Sequence, residues 1–128
     1  MKKTLLLITI ILAFTACKKD KKVNPTVFGT WELRHIGGGW GIDEHYSAGN
    51  GNKYVFKADS TYIKYKDNQI ESSGRYSISV SPNQSDYDYG TIKFPDINYT
   101  DAFQFKPGTI IIGTSIADGP TYEYTRIR

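Results

Sequence analysis

From residue 27 onward, apolar and polar residues alternate in short runs, with the two-residue period of half-buried β-strands. Trp31 and Leu33 share one face of the first run, with His35 in phase behind them. Tyr54 and Phe56 alternate with Lys53, Val55 and Lys57, and Tyr76 and Ile78 alternate with Arg75 and Ser77. Ile92 and Phe94 flank Lys93, Phe103 and Phe105 flank Gln104, and Ile110 and Ile112 flank Ile111. Tyr122, Tyr124 and Arg126 alternate with Glu123, Thr125 and Ile127. One run is ambiguous: in 61–66, Tyr62 and Lys64 oppose Ile63 and Tyr65. Turn residues separate the runs, at Asp59-Ser60, Asp67-Asn68, Pro95-Asp96, Pro107-Gly108 and Asp118-Gly119-Pro120. The pattern predicts strands at 30–36, 53–57, 61–66, 70–80 with an interruption near Gly74, 91–94, 102–106, 109–114 and 121–127. Helix signals are nearly absent. Short strands joined mostly by hairpin-length links predict an all-β domain: an eight-stranded antiparallel up-and-down barrel, whose closure would remove exposed edges.

The first 26 residues follow another pattern. Met1-Lys2-Lys3 precedes an apolar stretch that ends in Thr15-Ala16, and the chain's single cysteine, Cys17, comes next. The apolar stretch over 4–16 is shorter than the ~20 residues of a spanning helix. Charged start, apolar middle and small residues have the shape of a secretory signal. Phe14-Thr15-Ala16-Cys17 resembles the lipobox of a bacterial lipoprotein signal, with Phe14 where that family usually has Leu. The resemblance implies that the leader 1–16 is cleaved and that Cys17 becomes a lipidated N-terminus. Several acyl chains give durable membrane anchoring, where a single chain gives only marginal binding. The reading divides the chain into a signal peptide, 1–16, a lipidated cysteine with polar tether, 17–25, and a β-domain, 26–128. A plain secretory signal with a free thiol is the alternative.

Charge sharpens this division. The chain carries 16 Lys+Arg against 13 Asp+Glu, a net +3. Residues 1–22 hold six lysines and one aspartate, so the β-domain is mildly acidic. The basic balance belongs to the leader and to the tether Lys18-Lys19-Asp20-Lys21-Lys22, and a nucleic-acid partner is not expected.

Gly29-Thr30-Trp31 opens the first predicted strand and Tyr124-Thr125-Arg126 nearly closes the last. Between them stand Tyr54-Val55-Phe56-Lys57-Ala58-Asp59-Ser60-Thr61-Tyr62 and Gly74-Arg75-Tyr76-Ser77-Ile78. The set resembles the lipocalin-like lipoproteins of Bacteroidetes-type bacteria, within the lipocalin/calycin superfamily. In an eight-strand meander the first and last strands pair, so Trp31 and Arg126 should meet and close one barrel end. The other end would carry the loops at 37–52, 67–69, 95–101 and 115–120. In lipocalins that end is the open mouth, and Trp40, Tyr46, Tyr65 and Phe103 are the candidate ligand-binding residues. The loop 37–52 carries Gly37-Gly38-Gly39-Trp40-Gly41 and is expected to be mobile: a lid, a plug formed by Trp40, or a loop with no role.

The resemblance implies a monomeric, membrane-anchored protein of the cell envelope, in the outer membrane, that binds a small apolar ligand. An eight-strand barrel is just wide enough to be filled by side chains or to hold one small ligand. So many inward rings leave a second reading open: a solid barrel that binds or inhibits another envelope protein. No cofactor and no enzymatic activity are expected, because no Cys–His pair and no Gly-x-Ser-x-Gly arrangement is present. His35, Asp43, Glu44 and His45 include acceptable zinc ligands. Their spacing matches no compact zinc motif and Asp43 and Glu44 should point apart, so no metal site is expected.

Overall fold

A computed structural model describes residues 27–81, 86–113 and 119–128. Cys17, its leader and the tether lie outside the described residues. The strands are β1 (Gly29–Gly38), β2 (Ile42–His45), β3 (Lys53–Phe56), β4 (Thr61–Lys66), β5 (Gln69–Arg75), β6 (Ser77–Ser81), β7 (Asp88–Phe94), β8 (Tyr99–Lys106), β9 (Thr109–Ile112) and β10 (Pro120–Arg126). A 3-10 turn, Pro95–Ile97, lies between β7 and β8. All pairings are antiparallel, in the order β5-β4-β3-β1-β10-β9-β8-β7-β6. β2 adds a side pairing on β1.

Curling of this sheet follows from its ring contacts. Phe94 of β7 and Tyr54 of β3 have four strands between them along the ladder, yet their centroids are 6.0 Å apart. Tyr62 of β4 meets Phe94 at 4.7 Å, and Trp31 of β1 meets Phe105 of β8 edge-on at 6.4 Å. The sheet therefore wraps around one core. Trp31, Phe56, Ile92, Phe94, Phe103 and Ile110 are its fully buried side chains. Each contributes roughly 1.5–3 kcal/mol by burial.

Eight strands were expected and ten are present among the described residues. Two local events account for the difference. The expected strand 70–80 is divided at Tyr76, whose amide donates to the Ser60 carbonyl (2.9 Å) and whose hydroxyl donates to the Lys57 carbonyl (2.9 Å). Beyond that point the chain leaves β4 and pairs with β7. β5 and β6 are thus the two ends of the ladder and do not pair with each other. The seam is spanned by Asp96, which accepts from the Arg75 amide (2.7 Å) and from its guanidinium (2.7 and 3.1 Å).

The second event lies in 37–52, expected as one mobile loop. It forms β2 and then a hydrogen-bonded loop. Glu32, 3% exposed, accepts from the Gly49 amide (3.1 Å) and pairs with Arg34 (3.0 Å). The Asn50 amide donates to the carbonyls of Leu33 (2.8 Å) and Ser47 (2.7 Å), binding the loop to the edge of β1.

Candidate functional site

Register along β1 decides which residues face the interior. Leu33 stands opposite Tyr124, but His35 stands opposite Glu123 and Ile36 opposite Tyr122, so Arg34 is an extra, bulged residue. A bulge shifts the alternation by one. Ile36 therefore packs against the core, while His35, expected in phase with Trp31 and Leu33, turns to the outer face. In β4 the ambiguity resolves toward Tyr62, which is buried.

Two half-open clefts abut one another at Lys64, Tyr122 and Tyr124. The larger, about 350 Å³, is walled by Leu33, Ile36, Tyr46, Lys53, Tyr65 and Glu71, among others. The smaller, about 300 Å³, is bounded by Tyr54, Tyr62, Phe94, Ile97, Tyr99 and Asp101, with Ile112 at one side. Below them the core is filled by Trp31, Phe56, Phe103 and Ile110.

The polar groups of the clefts are held in defined positions. Lys64 pairs with Glu71 at 3.0 Å, and its ammonium lies 5.5 Å from the centroid of Tyr54. Lys53 lies 5.2 Å over the ring of Tyr65. Tyr99 donates its hydroxyl to Asp101, and chiefly this bond pushes its pKa up to about 12. Burial raises Tyr54, and raises Tyr124 well above the ordinary value. At neutral pH these hydroxyls stay protonated, as donors set beside apolar ring faces. The clefts thus offer aromatic walls, a few hydroxyls and the ammonium groups of Lys53, Lys64 and Lys66.

Of the residues expected at the mouth, Tyr46 and Tyr65 line the larger cleft. Trp40 does not: it has a positive φ of 42° in the turn between β1 and β2 and is 94% exposed. Phe103 is fully buried in the core and lines neither cleft. Lys64, Tyr122 and Tyr124 are the walls common to both clefts. Tyr122 and Tyr124 are legible as inward by alternation, whereas Lys64 is inward only once the phase of β4 is known.

At the far end of β1, Trp31 and Arg126 are cross-strand partners. The guanidinium carbon sits 4.3 Å from the indole centroid, and Arg126 Nη1 donates to the Phe28 carbonyl at 2.6 Å. Trp31 Nε1 donates to the Val27 carbonyl at 2.8 Å, so the segment before β1 is tied down by both side chains. At ~3.3 Å per strand residue, this closure lies about 16 Å from Ile36 at the cleft.

On the outer face, His35, Asp43 and His45 converge. His35 Nε2 is 2.7 Å and His45 Nε2 is 3.1 Å from Asp43 Oδ1. The hydrogen bond from His35, and then the charge of His45, hold the Asp43 carboxyl below its ordinary value of 3.8. Asp43 and Glu44 do point apart, and the Glu44 carboxylate accepts from the Tyr46 hydroxyl (2.9 Å). The expectation of no metal site rested on spacing along the chain; the pairing of β2 with β1 brings the three side chains together across two strands.

The fold and clefts define a small all-β protein with a curled antiparallel sheet, a filled base and a tyrosine-walled opening. No protein-family model, no curated protein and no solved structure matches the chain. Among the described residues, no helix is long and apolar enough to cross a membrane.

Proposed function

We propose that the protein is a lipocalin-like lipoprotein of the cell envelope, anchored through acyl chains on Cys17, that binds a small, mainly apolar molecule in the joined clefts. The observation that carries this reading is the pair of abutting cavities of about 350 and 300 Å³, walled by Tyr54, Tyr62, Tyr122 and Tyr124. Their size falls on the ~300–1,000 Å³ scale of small-molecule sites. Pairing of β1 with β10 and the Trp31–Arg126 contact support a lipocalin-type arrangement, in which the chain itself, between β5 and β6, crosses from the β4 end of the ladder to the β7 end. Tyrosine ring faces would take the apolar body, and Lys64 or Lys53 a polar end.

Native mass spectrometry of the full chain purified from its own host's envelope tests the reading. A one-to-one adduct of a few hundred daltons, lost on Ile36→Trp, is expected; a bare protein mass would overturn it. A second reading, a module that docks another envelope protein, is favoured by one observation: Trp40 stands almost fully exposed at the tip of the β1–β2 hairpin. On that reading, Trp40→Ser abolishes capture of the partner, and Ile36→Trp does not.

A further inference from the structure

We infer that His35, Asp43 and His45 form a binding site for a divalent first-row transition metal such as zinc. The β1–β2 ladder builds it. His35 stands directly opposite His45, and Asp43 opposite Gly37, one rung pair further on. Directly opposed residues and those two positions along share a face of the sheet. Both imidazoles and the carboxylate are therefore on one side of a two-stranded ribbon.

Gly37 is what lets them meet. A Cβ at that position would lie 2.7 Å from His35 Cε1 and 3.3 Å from His35 Nε2. With no side chain there, the His35 ring leans along the strand toward Asp43. The two imidazoles then stack, with centroids 4.5 Å apart and planes 24° from parallel, and each directs Nε2 at the same carboxylate oxygen.

The separations suit a metal. Donors at 2.0–2.2 Å from a tetrahedral zinc stand about 3.3 Å from one another. Here the two nitrogen–oxygen separations are 2.7 and 3.1 Å, and all three ligand atoms lie within 4.8 Å of one another. Entry of the ion requires the carboxylate oxygen to draw back from both nitrogens, which the exposure of the Asp43 and His45 side chains permits. Imidazole and carboxylate select zinc, copper or nickel over calcium or magnesium, which take mainly oxygen ligands. Three protein ligands leave the fourth position to water, and the exposure of Asp43 and His45 places that position in solvent. Such a site clamps β2, whose ladder partner among the described residues is β1 alone, and so steadies the chain entering Tyr46 in the cleft wall.

The test is calorimetric titration of Zn²⁺ into the tag-free full chain carrying Cys17→Ser, which removes the other soft ligand. Binding of one equivalent is expected, weakened at least about tenfold by Asp43→Asn and by His45→Gln. Both side chains are more than two-thirds exposed, so their metal-free melting temperatures should match the parent's. Absence of binding, or one equivalent bound equally well by both variants, overturns the site.

Discussion

Replacing Arg126 by Met tests whether the end of the sheet is closed by charge over a ring. Met keeps most of the apolar stem and removes the guanidinium. Two contacts are lost: the stack on Trp31 at 4.3 Å and the hydrogen bond to the Phe28 carbonyl at 2.6 Å. A cation over an aromatic face contributes ~0.5–2 kcal/mol, and the indole here is buried on its other side, so about 1 kcal/mol is assigned to it. A charged hydrogen bond contributes ~1.5–3 kcal/mol. Phe28 is 46% exposed, however, and water replaces much of that bond, leaving about 1 kcal/mol. The expected cost is about 2 kcal/mol, or a fall in melting temperature of roughly 8–16 °C for a domain of this size. Urea unfolding followed by far-ultraviolet circular dichroism measures it, with an unchanged m-value as the sign that the denatured state is unaffected. In a Trp31→Phe background the smaller ring retreats from the guanidinium, and Arg126→Met should cost about 0.5 kcal/mol less. A cost below about 0.5 kcal/mol in the parent, or a cost undiminished in the Trp31→Phe background, would refute the end-closure argument.

Two further outcomes follow from the same packing. A Cβ at Gly90 would fall on the Ser79 carbonyl oxygen and lie 2.7 Å from Val80 Cα, both backbone atoms that cannot rotate away. Gly90→Ala should therefore destabilise by about 1–3 kcal/mol through separation of β6 from β7, read as a lower urea midpoint. Tyr99 should titrate near 12, and Asp101→Asn should bring its midpoint toward the ordinary 10.0, measured by tyrosinate absorbance at high pH. Because the folded-state pKa is the raised one, this hydroxyl's contribution to stability is complete below about 10 and is lost as pH rises toward 12. A wild-type midpoint near 10, unchanged by the substitution, would remove the Tyr99–Asp101 bond from the site.

The inner face was legible because alternation is a local property. Tyr54 and Phe56, Ile92 and Phe94, and Ile110 and Ile112 are each two residues apart on an uninterrupted strand, and all six are buried. What alternation does not encode is an inserted residue. Nothing in Leu33-Arg34-His35 marks Arg34 as bulged, yet the bulge sends His35 outward and Ile36 inward. A second extra residue, Glu71 on β5, stands between the partners of Lys64 and Tyr65 and is likewise silent in the pattern. Depth along the sheet is also absent from it: Phe103 and Tyr122 both read as inward, but one is sealed in the core and the other walls a cleft. β2 is the extreme case. All four of its residues are exposed, so no burial pattern marks it as a strand, and its register is set by a turn rich in glycine. The convergence of His35, Asp43 and His45 depends on that register and on the Arg34 bulge together. A one-residue slip of β2 against β1 would put Glu44, not Asp43, on the face of His35 and turn His45 away. The cluster therefore belongs to tertiary pairing, which is why spacing along the chain argued against it and the paired strands argue for it.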